Sequence, residues 1–275
     1  MINKEKLKRR FSRNAKNYDK YANVQKKMGD TLIKTVEDND RGIHKIKNIL
    51  EVGCGTGYVT RTLYKQFPNA KITAVDIAPG MIEEVKLNEW DDSVSFICGD
   101  IEEMKIDDKY DLIISNATFQ WFNNMDATIE KLISALDING ILCFSTFGKN
   151  TFSELHQSFE KAREVMDITE PMTPSQAFYS LDELSKLCQS VVSKKSKLKE
   201  ILLQDKELYE YEYFNSCKVF LNSIKKIGAN NSNMSGNIVS PAFIEKVIEL
   251  YDENFKEESQ VKATYHCLFM QIKMR

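Results

Sequence analysis

The chain has 275 residues, with 38 basic and 40 acidic side chains and a formal net charge of −2. That length holds one large domain, or one domain with a sizeable insertion, and is ample for a buried core. The near-balanced charge excludes a globally basic nucleic-acid binder, and 42% hydrophobic with 28% charged residues is an ordinary globular composition.

Residues 1–11 are basic and polar with no apolar run, so no secretory leader is expected. No stretch approaches ~18 uninterrupted apolar residues, so no membrane span is expected. Over 3–37, Leu7, Phe11, Ala15, Tyr18, Ala22, Gln25, Met28 and Leu32 recur at spacings of three or four and predict a helix. From 46 to 147 strands and helices alternate. Strands are expected over 46–52, 71–76, 94–98, 110–115 and 140–147, and helices over 58–66, 81–87 and 127–136. This alternation predicts an α/β, Rossmann-like, mostly parallel sheet with flanking helices.

The second half reads differently. Helices are expected over 152–166 and 181–191, then a strand over 198–204. Two more helices, over 213–227 and 241–254, flank a polar loop at 228–237, and a last strand spans 264–274. Seven strands in one domain are expected, with 213–258 as a helical cap over the carboxyl ends of the sheet, where open α/β folds bind ligands. The six cysteines lie far apart and lack zinc or redox spacing. Reduced thiols, no metal and a cytoplasmic location are the expectation.

The most informative segment is Ile49-Leu50-Glu51-Val52-Gly53-Cys54-Gly55-Thr56-Gly57. A strand runs into three glycines at alternate positions and then into a helix, so backbone can turn tightly and approach a ligand. A dinucleotide fingerprint needs G-x-G-x-x-G. Here the third glycine comes one residue early, Tyr58 stands at the last glycine's place, and the acid Glu51 precedes the loop. These departures argue against a nicotinamide-dependent oxidoreductase. Asp76 ends the second strand, where a carboxylate can accept both hydroxyls of a ribose; a helix cap or turn residue is the alternative.

The loop resembles motif I of the class I methyltransferases, which wraps the aminoacyl part and sugar of S-adenosylmethionine. The resemblance implies a cofactor set of Glu51, Gly53, Cys54, Gly55, Gly57, Asp76 and Ile77. It further implies that Asp100 accepts from the adenine amino group, that Ile101 packs on the ring, and that Asn116 borders the methyl donor.

The flanking segments narrow the family. They are Phe11-Ser12-Arg13-Asn14-Ala15-Lys16-Asn17-Tyr18-Asp19 with Gln25, then Asn116-Ala117-Thr118-Phe119-Gln120-Trp121, then Phe147-Gly148 with Thr151 and Glu154-Leu155-His156-Gln157. Ile224-Lys225-Lys226-Ile227-Gly228-Ala229 and Thr264-Tyr265-His266 follow. Together they resemble the malonyl-acyl-carrier-protein O-methyltransferases of biotin synthesis over nearly the whole chain. The resemblance implies methylation of the free carboxylate of a malonyl thioester on acyl carrier protein, or on coenzyme A, so that fatty-acid synthesis can extend it toward a pimeloyl unit. No membrane or nucleic-acid partner is implied.

A malonyl carboxylate is ionised at neutral pH, its pKa lying near ~4, so it is already a nucleophile and needs no general base. The protein must align it and exclude water. Tyr18, Gln120 and His266 are the candidates to meet the carboxylate; Tyr18 and His266 could equally be core residues. Trp121 is read as acceptor site or packing. Residues 1–27 hold ten Lys or Arg and two acids. Arg13, Lys225 and Lys226 are candidates to meet an acidic carrier or its phosphate; a solvated helix face is the alternative. Two other functions stay open: a methyltransferase for another small carboxylic acid or a quinone, and a noncatalytic cofactor-binding module.

Overall fold

The computed structural model describes residues 1–39, 46–195, 201–229 and 240–274. The first half contains α1 (Lys4–Tyr21), α2 (Asn23–Asn39), β1 (Asn48–Val52), α3 (Tyr58–Gln66), β2 (Lys71–Asp76), α4 (Pro79–Val85), β3 (Val94–Cys98) and β4 (Tyr110–Ser115). A 3-10 turn, Phe119–Trp121, precedes α5 (Met125–Ser134) and β5 (Leu136–Phe147). Then come α6 (Ser153–Val165), α7 (Leu181–Lys195), β6 (Ile201–Phe214), α8 (Cys217–Lys226), α9 (Pro241–Asn254), β7 (Lys256–Glu257) and β8 (Gln260–Met274).

The strands form one sheet in the order β3-β2-β1-β4-β5-β8-β6, with the two-residue β7 paired to β8. β1 to β5 run parallel, while β8 runs antiparallel between β5 and β6. Side chains alternate between two cores, as a sheet covered on both faces requires. Leu112, Ile114, Ile141 and Cys143 point into one core with α2, α3, α6, α8 and α9. Ile113, Leu142 and Phe144 point into the other, with α5 and α7.

Four expectations need correction. The helix over 3–37 is two helices, because Ala22 leaves helical geometry at φ −86°, ψ 45°. α1 then packs on α4, whereas α2 continues down the sheet. The strand expected to end at 204 runs on to Phe214, paired with β8 over its whole length, and its start at 198–200 lies outside the described residues. The helix expected from 213 starts at Cys217, where the Ser216 side chain accepts from the Val219 N–H. The sheet has eight strands rather than seven, the extra one being β7. The expected loop at 228–237 lies mostly outside the described residues. Among the described residues no helix is long and apolar enough to cross a membrane.

Candidate active site

The carboxyl ends of β1 to β4 converge on a cavity of about 640 Å³. Gly53 and Gly55 line it from β1, Asp76 and Ile77 from β2, Gly99, Asp100 and Ile101 from β3, and Asn116 to Thr118 from β4. The roof is α1, through Lys4, Leu7, Phe11 and Tyr18.

The glycine loop is built for close approach. Gly53 has φ +75°, and a Cβ there would lie 2.1 Å from Thr118 Oγ1. Gly55 has φ +54°, yet a Cβ there would meet nothing within 4 Å. That open space is the cavity, a cradle that bare backbone offers a ligand. The loop is pinned from β2, where Asp76 Oδ2 accepts from the Gly55 N–H at 2.9 Å and Oδ1 from the Ala78 N–H at 2.8 Å. Burial pushes the Asp76 carboxyl up to about 6, against the opposing pull of those two donors.

Asp100 also lines the cavity. Its carboxylate accepts from the Glu102 N–H at 3.0 Å and meets Lys4 Nζ at 3.3 Å. Asn116 is a brace: its Nδ2 donates to the Gln25 carbonyl at 2.8 Å, and its Oδ1 accepts from Ser145 Oγ at 2.7 Å. Glu51 and Cys54 do not reach the main cavity. They line a smaller recess of about 390 Å³ behind the loop, with Tyr18, Asp19 and Gln25. Gly57 lines neither space; it caps α3 at φ 85°.

Glu51 is 2% exposed, and its Oε2 has no hydrogen-bond partner among the described residues. Burial pushes its carboxyl up to about 8, against a smaller opposing pull from Thr60. Glu51 and Asp76 thus both lie above their ordinary values of 4.5 and 3.8. By linkage, each contributes stability that is fully present below the ordinary value and lost as pH rises through the folded one. The ligand-free protein is therefore expected to melt at lower temperature as pH rises from about 6.5 to about 8, and Glu51→Gln should flatten that slope. Identical slopes in the two proteins would contradict a proton held at Glu51.

A second cavity of about 1520 Å³ adjoins the first across Phe11, Tyr18, Ala117 and Trp121, which line both. Its outer walls are mostly apolar, from Leu155 and Phe159 on α6, Leu221 and Ile224 on α8, and Ile244 on α9. Ala117, at the junction, has φ +50°, a left-handed conformation that costs a non-glycine residue about 1–3 kcal/mol. Tyr18 lines both cavities, and no described residue hydrogen-bonds its hydroxyl. Burial, followed by the Asp76 and Asp19 carboxylates, pushes its pKa far up, so it stays a donor and cannot serve as a base.

The remaining candidates divide. Gln120 lines the larger cavity, but its amide is engaged, donating to the Ala117 carbonyl at 2.6 Å and accepting from Thr146 Oγ1 at 2.9 Å. Trp121 packs edge-on against Phe11 at 5.7 Å. Lys225 stands at the rim of the larger cavity; Lys226 and Arg13 are exposed and line neither space. The expectation for His266 is corrected. Successive β8 residues face opposite ways, so Tyr265 lines the larger cavity and His266 points to the far side of the sheet. There its Nε2 meets Glu207 Oε2 at 2.8 Å and its ring stacks on Tyr209 at 4.7 Å. Sequence reasoning missed Lys4, Leu7 and Ala117. For Leu7 the signal was present, since it shares the apolar stripe of Phe11 and Tyr18.

Comparison with known proteins agrees with this geometry. The family profile described as "Methyltransferase domain" matches residues 43–216. The malonyl-[acyl-carrier protein] O-methyltransferase of Priestia megaterium is 48% identical over 274 residues, which are 99% of this chain and 98% of that one. Its namesake from Acetivibrio thermocellus is 48% identical over 270 residues, 98% of this chain and 94% of that one. Among solved structures, the YcgJ protein of Bacillus subtilis shares the fold at a TM-score of 0.56 and 15% identity, covering 89% of this chain and 97% of that one. The plantazolicin methyltransferase BpumL, solved with S-adenosylhomocysteine, does so at 0.53 and 16%, covering 99% and 96%. With near-complete coverage at this identity, the chain belongs to the malonyl-[acyl-carrier protein] O-methyltransferases, within the methyltransferase-domain fold.

Proposed function

We propose that this protein is a single methyltransferase domain that transfers the methyl group of S-adenosylmethionine to the free carboxylate of malonyl-acyl carrier protein, an early step of biotin synthesis. The observation that carries the reading is the large apolar cavity adjoining the cradle beside Gly55, with Tyr18 lining both. The residues suit the cofactor. Gly55 leaves room for its aminoacyl part, Asp76 accepts from the ribose hydroxyls, and Asp100 with Ile101 borders the adenine. When bound, the cofactor supplies an electrophilic methyl on a positively charged sulfur.

The protein's own residues do the rest. Tyr18 donates to the acceptor carboxylate and orients one oxygen toward the cofactor cavity. Phe11, Trp121, Phe147 and Phe152 exclude water, which strengthens every polar contact inside. No proton has to be removed, in keeping with a tyrosine held protonated. Methylation discharges the carboxylate, so the product no longer holds the Tyr18 donor as strongly and leaves.

The deciding experiment compares labelled methyl transfer to malonyl, glutaryl and acetyl carrier proteins and to malonyl-CoA. Malonyl carrier protein should be the best acceptor, glutaryl poor and acetyl inert. Efficient transfer to the acetyl form would refute carboxyl methylation.

Carrier docking is assigned to the outer face of α1. Lys6, Arg9, Arg13, Lys16 and Lys20 are exposed there, and none forms an ion pair with a described residue. Single exposed pairs contribute about 0–1 kcal/mol, so several must act together. The triple variant R9E/R13E/K16E is expected to raise KM for malonyl carrier protein roughly tenfold at low salt, with the difference shrinking as salt is added. KM for malonyl-CoA should change much less, and an equal rise for both acceptors would exclude this face as the docking surface.

A further inference from the structure

We infer that Lys131, on α5, is a positioning residue for the adenine end of the site, acting on Asp100 through two peptide units. The inference rests on Asp100 as the adenine acceptor, proposed above. Lys131 is half-buried and lines neither cavity. Its ammonium has three N–H donors, and three carbonyls of one turn receive them: Ile101 at 3.1 Å, Glu102 at 2.6 Å and Met104 at 3.0 Å.

A trans peptide holds its C=O and N–H on opposite sides, so a carbonyl drawn toward Lys131 sends its partner N–H the other way. Two consecutive peptides do this. The unit whose carbonyl is Ile101 O carries the Glu102 N–H, which donates to Asp100 Oδ1 at 3.0 Å. The unit whose carbonyl is Glu102 O carries the Glu103 N–H, which donates to the Asp100 carbonyl at 2.9 Å. Each peptide is a rigid strut from the ammonium to Asp100, one gripping its side chain and the other its backbone. Lys4 meets both Asp100 and Glu102. The carboxylate is thereby fixed where β3 ends, with Ile101 buried beside it at 4% exposure.

The test is discrimination between S-adenosylhomocysteine and its analogue with hydrogen in place of the adenine 6-amino group, measured by titration calorimetry. The unaltered protein should prefer the amino form by about tenfold or more, the weight of one hydrogen bond to a charged acceptor. Lys131→Met should shrink that preference to within about twofold, and Lys131→Gln, which keeps a donor and is gentler on the fold, should give an intermediate value. Lys109→Met is the control, because Lys109 donates to the Ser134 carbonyl that ends α5, touches none of the 101–104 carbonyls and should leave the preference intact. In an Asp100→Ala background, Lys131→Met should remove no further discrimination, since both act on one contact. A Lys131→Met protein that loses affinity equally for both ligands would overturn the proposal and leave Lys131 a purely structural residue. An unaltered protein with no preference would overturn the assignment of adenine to Asp100 itself.

Discussion

Replacing Gly55 by leucine is expected to abolish cofactor binding while the protein stays folded. A Cβ at this position meets no atom within 4 Å, so the side chain has room, but only in the space proposed for the cofactor. The fold bears the strain of an L-residue at φ +54°, about 1–2 kcal/mol. Binding of S-adenosylhomocysteine should fall by ~100-fold or more, since the leucine must be expelled first. Gly53→Ala is the counterpart. Its Cβ would overlap Thr118, 2.1 Å away, so it should lower the melting temperature as well as the affinity. Calorimetry paired with thermal melting separates the two. Wild-type affinity in Gly55→Leu would remove the loop from the cofactor site.

Asp76→Ala should weaken cofactor binding by about 2–4 kcal/mol, roughly 30- to 1000-fold, through the loss of hydrogen bonds from two ribose hydroxyls to a charged acceptor. The same carboxylate accepts from the Gly55 and Ala78 N–H groups, so truncation also leaves two backbone donors without a partner. The ligand-free variant is therefore expected to melt earlier, an effect separate from the lost affinity. Asp76→Asn, which keeps one acceptor oxygen, should fall between. If both variants bound S-adenosylhomocysteine as tightly as the parent, Asp76 would have no part in holding the sugar.

The parallel half of the sheet was legible because its signals are local. Short apolar-rich segments mark β1 to β4, closed by Gly53 after β1, Asp76 in β2, Gly99 after β3 and Asn116 after β4, and helix α3 and strands β2, β3 and β4 fall where their patterns predict. The turn geometry of the glycine loop was legible for the same reason, since glycine spacing encodes backbone shape. The acceptor side was not, because there the chemistry depends on which face of a strand a residue takes. His266 and Tyr265 are neighbours in sequence, and one register step separates the larger cavity from the far side of the sheet. The length of β6 was missed although Tyr209, Tyr211 and Tyr213 alternate with Glu210 and Glu212, a period-two pattern that belongs to a strand. Gln120 carries the right chemistry in the right segment, yet its amide is engaged with Ala117 and Thr146, partners that only the folded chain reveals.

Helix α1 roofs the first cavity, walls the second and carries the exposed basic stripe on its outside. One rigid body therefore borders the spaces assigned to methyl donor, acceptor and carrier. Its amino end is tethered by Lys4 to Asp100 and Glu102 and by Ile2 to Asn123, and its carboxyl end by Asp19 to Thr56. Any ligand that favours the seated position of α1 does so for every ligand that helix touches. Reciprocity then applies: the factor by which donor tightens acceptor equals the factor by which acceptor tightens donor. The apparent affinity of either partner, measured alone, is thus a property of the empty neighbour as much as of its own pocket.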